Sequence, residues 1–244
     1  HSAWALQSLG IKSILVNSNP ETVSTDFDTS DRLYFEPLDE ESMRDLLENE
    51  GEHSAPSIVQ FGGQTAINMA QTLSRNNLGI LGSGADVIDV AEDRRRFEDF
   101  LERLAIPQPP GTGVTTLEEA LAVAQNLGYP MLVRPSYVLG GRAMEIVYNE
   151  SELIRYLVQA LELDSRHPVL IDKYLLGKEV EVDAIADGKD VLIPGIMEHI
   201  ERAGVHSGDS IAVYPGINLT ETEVKTIVDS TTRIALGMEG RGLV

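Results

Sequence analysis

The chain has 244 residues, 42% hydrophobic and 24% charged, and its 19 basic against 39 acidic side chains leave a net charge of −20. A chain of this size and make-up buries a core without metal or disulfide staples, which excludes wholesale disorder. Its charge opposes a phosphate backbone, and no apolar run reaches the roughly 18 residues of a spanning helix, so neither general nucleic-acid binding nor a membrane span is expected. Cysteine is absent, which removes disulfides, cysteine-rich zinc sites and thiol nucleophiles and fits a reducing cytoplasm.

Residues 1–9 read as the end of a helix whose feeding strand is missing, so the chain is expected to begin inside a domain. Ile11–Asn17 and Ser57–Phe61 are short apolar runs that read as strands. Glu41–Asn49 between them and Gln64–Arg75 after them carry apolar residues at helical spacing, and Gly79–Leu81 opens a third strand. Alternating strands and helices of this kind build βαβ units on a parallel sheet. Asn19–Pro37 is a 19-residue loop after the first strand; loops this long are commonly functional or disordered.

Ala85–Ala105 reads as one charged helix, with the basic cluster Arg94-Arg95-Arg96 either contacting phosphate or pairing with nearby acids. It runs into Pro107–Gly111, a stiff connector and a candidate boundary. Thr116 and Glu119 form a capping box opening a helix to Leu127. Tyr129–Pro135 and Met144–Tyr148 are strands joined by the glycine-rich loop Tyr137–Arg142, close enough to pair antiparallel. A helix over Glu150–Leu163 precedes strands Val169–Leu175, Glu179–Asp187 and Val191–Ile200. A last helix, Leu219–Met238, begins with the capping box Thr220…Glu223. The second part is therefore α+β where the first is α/β.

Chemistry concentrates in a few segments. Arg134 ends a strand, Gly140-Gly141 fill the turn, and Arg142 opens the next strand. Adjacent glycines let backbone N–H groups approach an anion, and two guanidiniums would neutralise a polyphosphate; the alternative is a hairpin with two exposed arginines. Neither a Walker A motif nor a dinucleotide-binding fingerprint is present. Lys173 sits late in an apolar strand and Glu179 begins the next, where a carboxylate can accept from ribose hydroxyls or simply be solvated. Met197–Ser210 runs from an apolar strand into a polar loop with His199 and His206, whose spacing gives little support to a metal site.

The runs NPETVSTDFDTSDRLYFEP (Asn19–Pro37), QFGGQT (Gln60–Thr65), EDRRRF (Glu92–Phe97), VRPSYVLGGRAMEIVY (Val133–Tyr148) and GIMEHIERAGVHSGDS (Gly195–Ser210) closely resemble the large-subunit family of carbamoyl-phosphate synthase, and specifically its C-terminal, carbamate-phosphorylating half. The resemblance covers essentially the whole chain, in the family's order. It implies a Rossmann-like pre-ATP-grasp domain lacking its first strand (residues 1–92) and an ATP-grasp domain incomplete at its C-terminus (residues 93–244). The implied activity is that of an ATP-dependent ligase serving pyrimidine and arginine synthesis, with ATP and carbamate as substrates. The implied partners are a glutaminase small subunit and the rest of the large subunit.

Carried over by position, Arg134 contacts phosphates, with Arg94 serving the same site, and Gly140–Gly141 covers them. Lys173 and the backbone at Leu175 lie near the adenine, and Glu179 binds the ribose. Gly204, Val205, His206 and Ser207 complete the nucleotide loop. Glu181 stands two residues beyond Glu179, and because Leu176–Lys178 is one residue shorter than in some relatives, the register there stays open. The ligands for Mg²⁺ or Mn²⁺ are expected beyond Val244, so the chain reads as an inactive fragment. Another ATP-grasp ligase such as a biotin carboxylase, or a non-catalytic nucleotide-binding module, are the alternatives.

Overall fold

A computed structural model describes residues 1–50, 55–135, 144–163, 168–205 and 207–244. In chain order the elements are α1 (Ser2–Ser8), β1 (Ile14–Val16), β2 (Arg32–Tyr34), α2 (Glu40–Asn49), α3 (Gly63–Arg75), α4 (Ala85–Glu92) and α5 (Arg94–Arg103). Then come β3 (Gly111–Val114), α6 (Leu117–Leu127), β4 (Met131–Pro135), β5 (Glu145–Val147), α7 (Glu150–Leu163) and β6 (Val169–Lys173). The chain finishes with β7 (Lys178–Glu181), β8 (Ile185–Ala186), β9 (Val191–Leu192), β10 (Met197–Arg202), β11 (Ala212–Val213), α8 (Glu221–Gly237) and β12 (Gly242–Leu243). Two compact units result, one of residues 1–97, 185–190 and 235–244, the other of residues 98–184 and 191–234.

In the first unit β1 pairs parallel with β2, Ile14 opposite Arg32. The expected 19-residue loop therefore contains a strand, one too short to declare itself among polar neighbours. Asp31 locks its entry by accepting from the Ser13 N–H at 2.8 Å. The expected strands over 57–61 and 79–81 shrink to one parallel bridge, Ser57 to Ile80, because Pro56 precedes the first and a turn closed by Gly62 N donating to Val59 O ends it. Asp39 caps α2 by accepting from Ser42 N, and α2, α3 and α4 bury Met43, Met69, Leu73 and Ala85 around Val59. The single helix expected over 85–105 is two. Asp93 has extended backbone and its carboxylate accepts from Arg96 N at 2.8 Å, so it ends one helix and caps the next.

In the second unit an antiparallel sheet of order β3-β6-β4-β5 carries α6 and α7 on one face. Alternation along the strands puts Val114, Met131, Val133, Val147, Val169 and Ile171 on that face, packed against Ala120, Ala124, Leu153, Tyr156 and Leu157. The expected capping box forms: Thr116 Oγ1 accepts from Glu119 N, and Glu119 accepts from Thr116 N. The predicted β4–β5 antiparallel pair forms as well, Met131 opposite Val147. Pro107–Pro110 leads into β3 inside this unit. A second sheet has the order β11-β10-β7. Each of the two long strands expected over 179–187 and 191–200 is divided; Asp187 accepts from the amides of Lys189 and Asp190 and turns the chain between β8 and β9.

Candidate functional site

Arg134 lies near the end of β4, opposite Leu170 on β6. It shares the face opposite α6 and α7 with Leu132, Leu170 and Asp172, and its side chain is exposed. Lys173 lies opposite Met131, on the helix-covered face, where its ammonium donates to the carbonyls of Gly128 at 3.0 Å and Tyr129 at 3.1 Å. Three ladder positions separate the two cations, about 10 Å along the strands. The register thus sets Arg134 free toward one face and ties Lys173 into the turn that follows α6. Leu175, beyond the end of β6, is 53% exposed.

The second group comes from β7, β10 and the turn that follows β10. Glu179 is half-buried, and its Oε2 accepts from Gly204 N at 3.3 Å. Gly204 has φ +99°, a conformation open to glycine, and a Cβ there would stand 2.8 Å from Tyr174 Cε2 and 3.6 Å from Ile146 Cδ1. Ile146 pairs with Leu132. The Ala203–Gly204 turn therefore adjoins the sheet face that also carries Arg134. Val205 is partly exposed and Ser207 starts a short 3₁₀ turn ending at Asp209. Arg94 opens α5 in the first unit. The Gly140–Gly141 turn, Arg142 and His206 lie outside the described residues.

β10 also carries two adjacent buried polar residues, Glu198 and His199. Glu198, 3% exposed, accepts from the amides of Ile217 at 2.8 Å and Asn218 at 2.7 Å. The Asn218 amide, then the Ile217 amide and the Lys178 charge, hold its carboxyl below the usual range against the opposite push of burial. On the other face of β10, His199 Nδ1 lies 2.7 Å from Ser210 Oγ, while Nε2 stands 3.3 Å from Glu181 Oε1 without forming a hydrogen bond among the described residues. The available signal was a strand with consecutive polar residues in an apolar run. Lys178 donates to the Asn218 carbonyl and to both oxygens of Glu223, whose carboxyl is pulled down to about 2. Among the described residues no three His, Asp or Glu side chains converge as metal ligands.

Chemically this is an exposed guanidinium on one sheet and, on another, a carboxylate fixed by a glycine turn: donors for an anion and an acceptor for hydroxyls. The biotin carboxylase domain of the Hydrogenobacter thermophilus 2-oxoglutarate carboxylase superposes with a TM-score of 0.77 at 23% identity, over 99% of this chain and 56% of that one. The Campylobacter jejuni biotin carboxylase does so with a TM-score of 0.78 at 18% identity, over 99% and 57%. At such identities the likeness is one of fold. Residues 1–90 match the carbamoyl phosphate synthase preATP-grasp domain, and a preATP-grasp domain followed by an ATP-grasp-type domain is the class that fold and site define. Residues 93–244 match the ATP-binding domain of the carbamoyl-phosphate synthase L chain. Over its full length the chain is 60% identical to the carbamoyl phosphate synthase large chain of Thermomicrobium roseum, of which it spans 23%. It belongs to the carbamoyl-phosphate synthase large-chain family.

Proposed function

We propose that this chain is the ATP-binding part of the carbamate-phosphorylating half of a carbamoyl-phosphate synthase large chain, with residues 1–92 as its pre-ATP-grasp domain and 93–244 as its ATP-grasp domain. The intact protein is an ATP-dependent ligase of the cytoplasm, paired with a glutaminase small subunit and supplying pyrimidine and arginine synthesis. A carbamate oxygen forms the new bond to the γ-phosphorus, and ADP leaves with the electrons of the broken bridging P–O bond. Such a transfer is catalysed by positioning and charge neutralisation.

The observation that supports this reading most is the Glu179–Gly204 hydrogen bond on a turn that adjoins Ile146, one strand from exposed Arg134 on the same sheet face. Arg134 binds phosphate oxygens, with Arg94 and the Gly140–Gly141 turn serving the same group. Glu179 takes the ribose hydroxyls. Lys173 and the backbone at Leu175 lie near the adenine, and Gly204, Val205, His206 and Ser207 close the nucleotide loop. ATP arrives as its Mg²⁺ or Mn²⁺ complex. No step is assigned to that ion.

The test is Arg134→Ala in a complete large chain with its small subunit, assayed by ATP formation from ADP and carbamoyl phosphate. Losing a hydrogen bond to a charged group costs about 1.5–3 kcal/mol, so kcat/KM should fall roughly ten- to a hundredfold. Arg134→Lys should recover part of it, having charge without the fork. Because the side chain is exposed, stability should change by no more than about 0.5 kcal/mol. Wild-type rates in both variants would remove Arg134 from the site.

A further inference from the structure

Tyr174 follows Lys173 at the end of β6, and its main chain is fixed by donation from Tyr174 N to Pro130 O at 3.2 Å. Its half-buried side chain reaches 29 residues along the chain, where the hydroxyl donates to the Ala203 carbonyl at 2.5 Å. The N–H of Gly204 donates to Glu179 Oε2. That carbonyl and that N–H belong to one peptide group, which is planar and turns as a unit. A hydroxyl holding one end therefore sets the direction of the other. The ring edge also lies where a Gly204 side chain would be, so the ring borders the peptide that its hydroxyl holds. Hydrogen bonds in series through an amide polarise one another, which strengthens the N–H as a donor.

We infer that Tyr174 is a positioning residue for nucleotide binding: it orients the Ala203–Gly204 peptide, and that peptide fixes the Glu179 carboxylate with Oε2 engaged and Oε1 presented to a ribose hydroxyl. The inference rests on the reading of Glu179 as the ribose-binding group. Phenylalanine at 174 would keep the ring and its packing but release the carbonyl. The peptide could then rotate, and Glu179 would lose the donor that aims it.

The experiment uses the complete large chain with its small subunit and measures ATP formation from carbamoyl phosphate with ADP or 2′-deoxy-ADP as acceptor. Amide hydrogen exchange at Gly204 is followed in the same variants. Tyr174→Phe should raise KM for ADP about three- to tenfold, the loss of one ordinary hydrogen bond, with kcat little changed. It should lower the preference for ADP over 2′-deoxy-ADP by a similar factor and speed exchange at Gly204. Glu179→Ala should abolish the preference, and adding Tyr174→Phe to it should change the preference no further.

If Glu179→Ala abolishes the preference while Tyr174→Phe leaves it and Gly204 exchange at wild-type values, Tyr174 only supports the fold and the inference is overturned. If Glu179→Ala leaves the preference intact, the ribose assignment itself fails and the inference goes with it. Faster Gly204 exchange in Tyr174→Phe would then still identify the peptide relay as real but unconnected to the ribose.

Discussion

Gly204→Ala tests the packing around the nucleotide turn, and the structure allows its cost to be separated into two parts. The first is conformational. Alanine at φ +99° is strained whatever surrounds it, at about 1–2 kcal/mol. The second depends on Tyr174. The added Cβ would stand 2.8 Å from Cε2 of that ring, so the ring must move, and its hydroxyl bond to Ala203, worth about 0.5–1.5 kcal/mol, must loosen. The single substitution should therefore cost about 2–3 kcal/mol. With Tyr174→Ala already in place, the nearest remaining atom is Ile146 Cδ1 at 3.6 Å, an ordinary contact. Gly204→Ala should then cost only its conformational part, leaving a coupling of about 1 kcal/mol. Urea unfolding of the 244-residue chain, followed by circular dichroism, measures all four species. The transition belonging to the second unit is recognised by its response to a substitution in that unit's core. Additivity of the two substitutions within about 0.3 kcal/mol would show that Tyr174 does not press on the turn.

What could be read from the sequence divides by the range of the interactions involved. Both capping boxes close within three residues, and both form: Thr116 with Glu119, and Thr220 with Glu223. The β4–β5 pair was legible because so few residues join the strands. Asp93 carried a local signal too, since aspartate favours the N-cap, but the apolar spacing on either side of it read as one continuous helix. β2 had no local signal: three residues pair with β1 only once the chain has folded back. At the site, the residue types were legible and their geometry was not. Arg134 and Lys173 look alike as cations at strand ends, and only the β4–β6 register shows that they point to opposite faces. Tyr174 reads as one more aromatic in an apolar strand until Ala203 is brought to its hydroxyl.

Leu157→Ala should destabilise the second unit by about 3–4 kcal/mol, because the fully buried leucine belongs to the core cluster that includes Met131, Val133 and Ile171 and its loss leaves a cavity. Val158→Ala, at a 48% exposed neighbouring position on the same helix, should change stability by no more than about 0.5 kcal/mol in the same urea titration; equal costs at the two positions would contradict the assigned faces of α7. The acid response of the second unit follows chiefly from Glu198 and Glu223, with Glu119, lowered first by the Thr115 amide, adding to it. Glu223 is lowered to about 2, first by the Lys178 ammonium and then by the Thr220 amide and hydroxyl, and Glu198 is lowered first by the Asn218 amide. Both folded-state values lie below the ordinary 4.5. The unfolded chain thus takes up protons first on acidification, and the stability these groups give is fully present above pH 4.5 and is lost as pH falls toward 2. The urea midpoint should hold between pH 7 and 5 and drop below that. In Glu223→Gln it should start lower and converge on the wild-type value as pH approaches 2, because protonation removes from wild type the same ion pair that the substitution removes at every pH. A deficit that stayed constant down to pH 2 would mean that the Lys178–Glu223 pair contributes nothing to that slope.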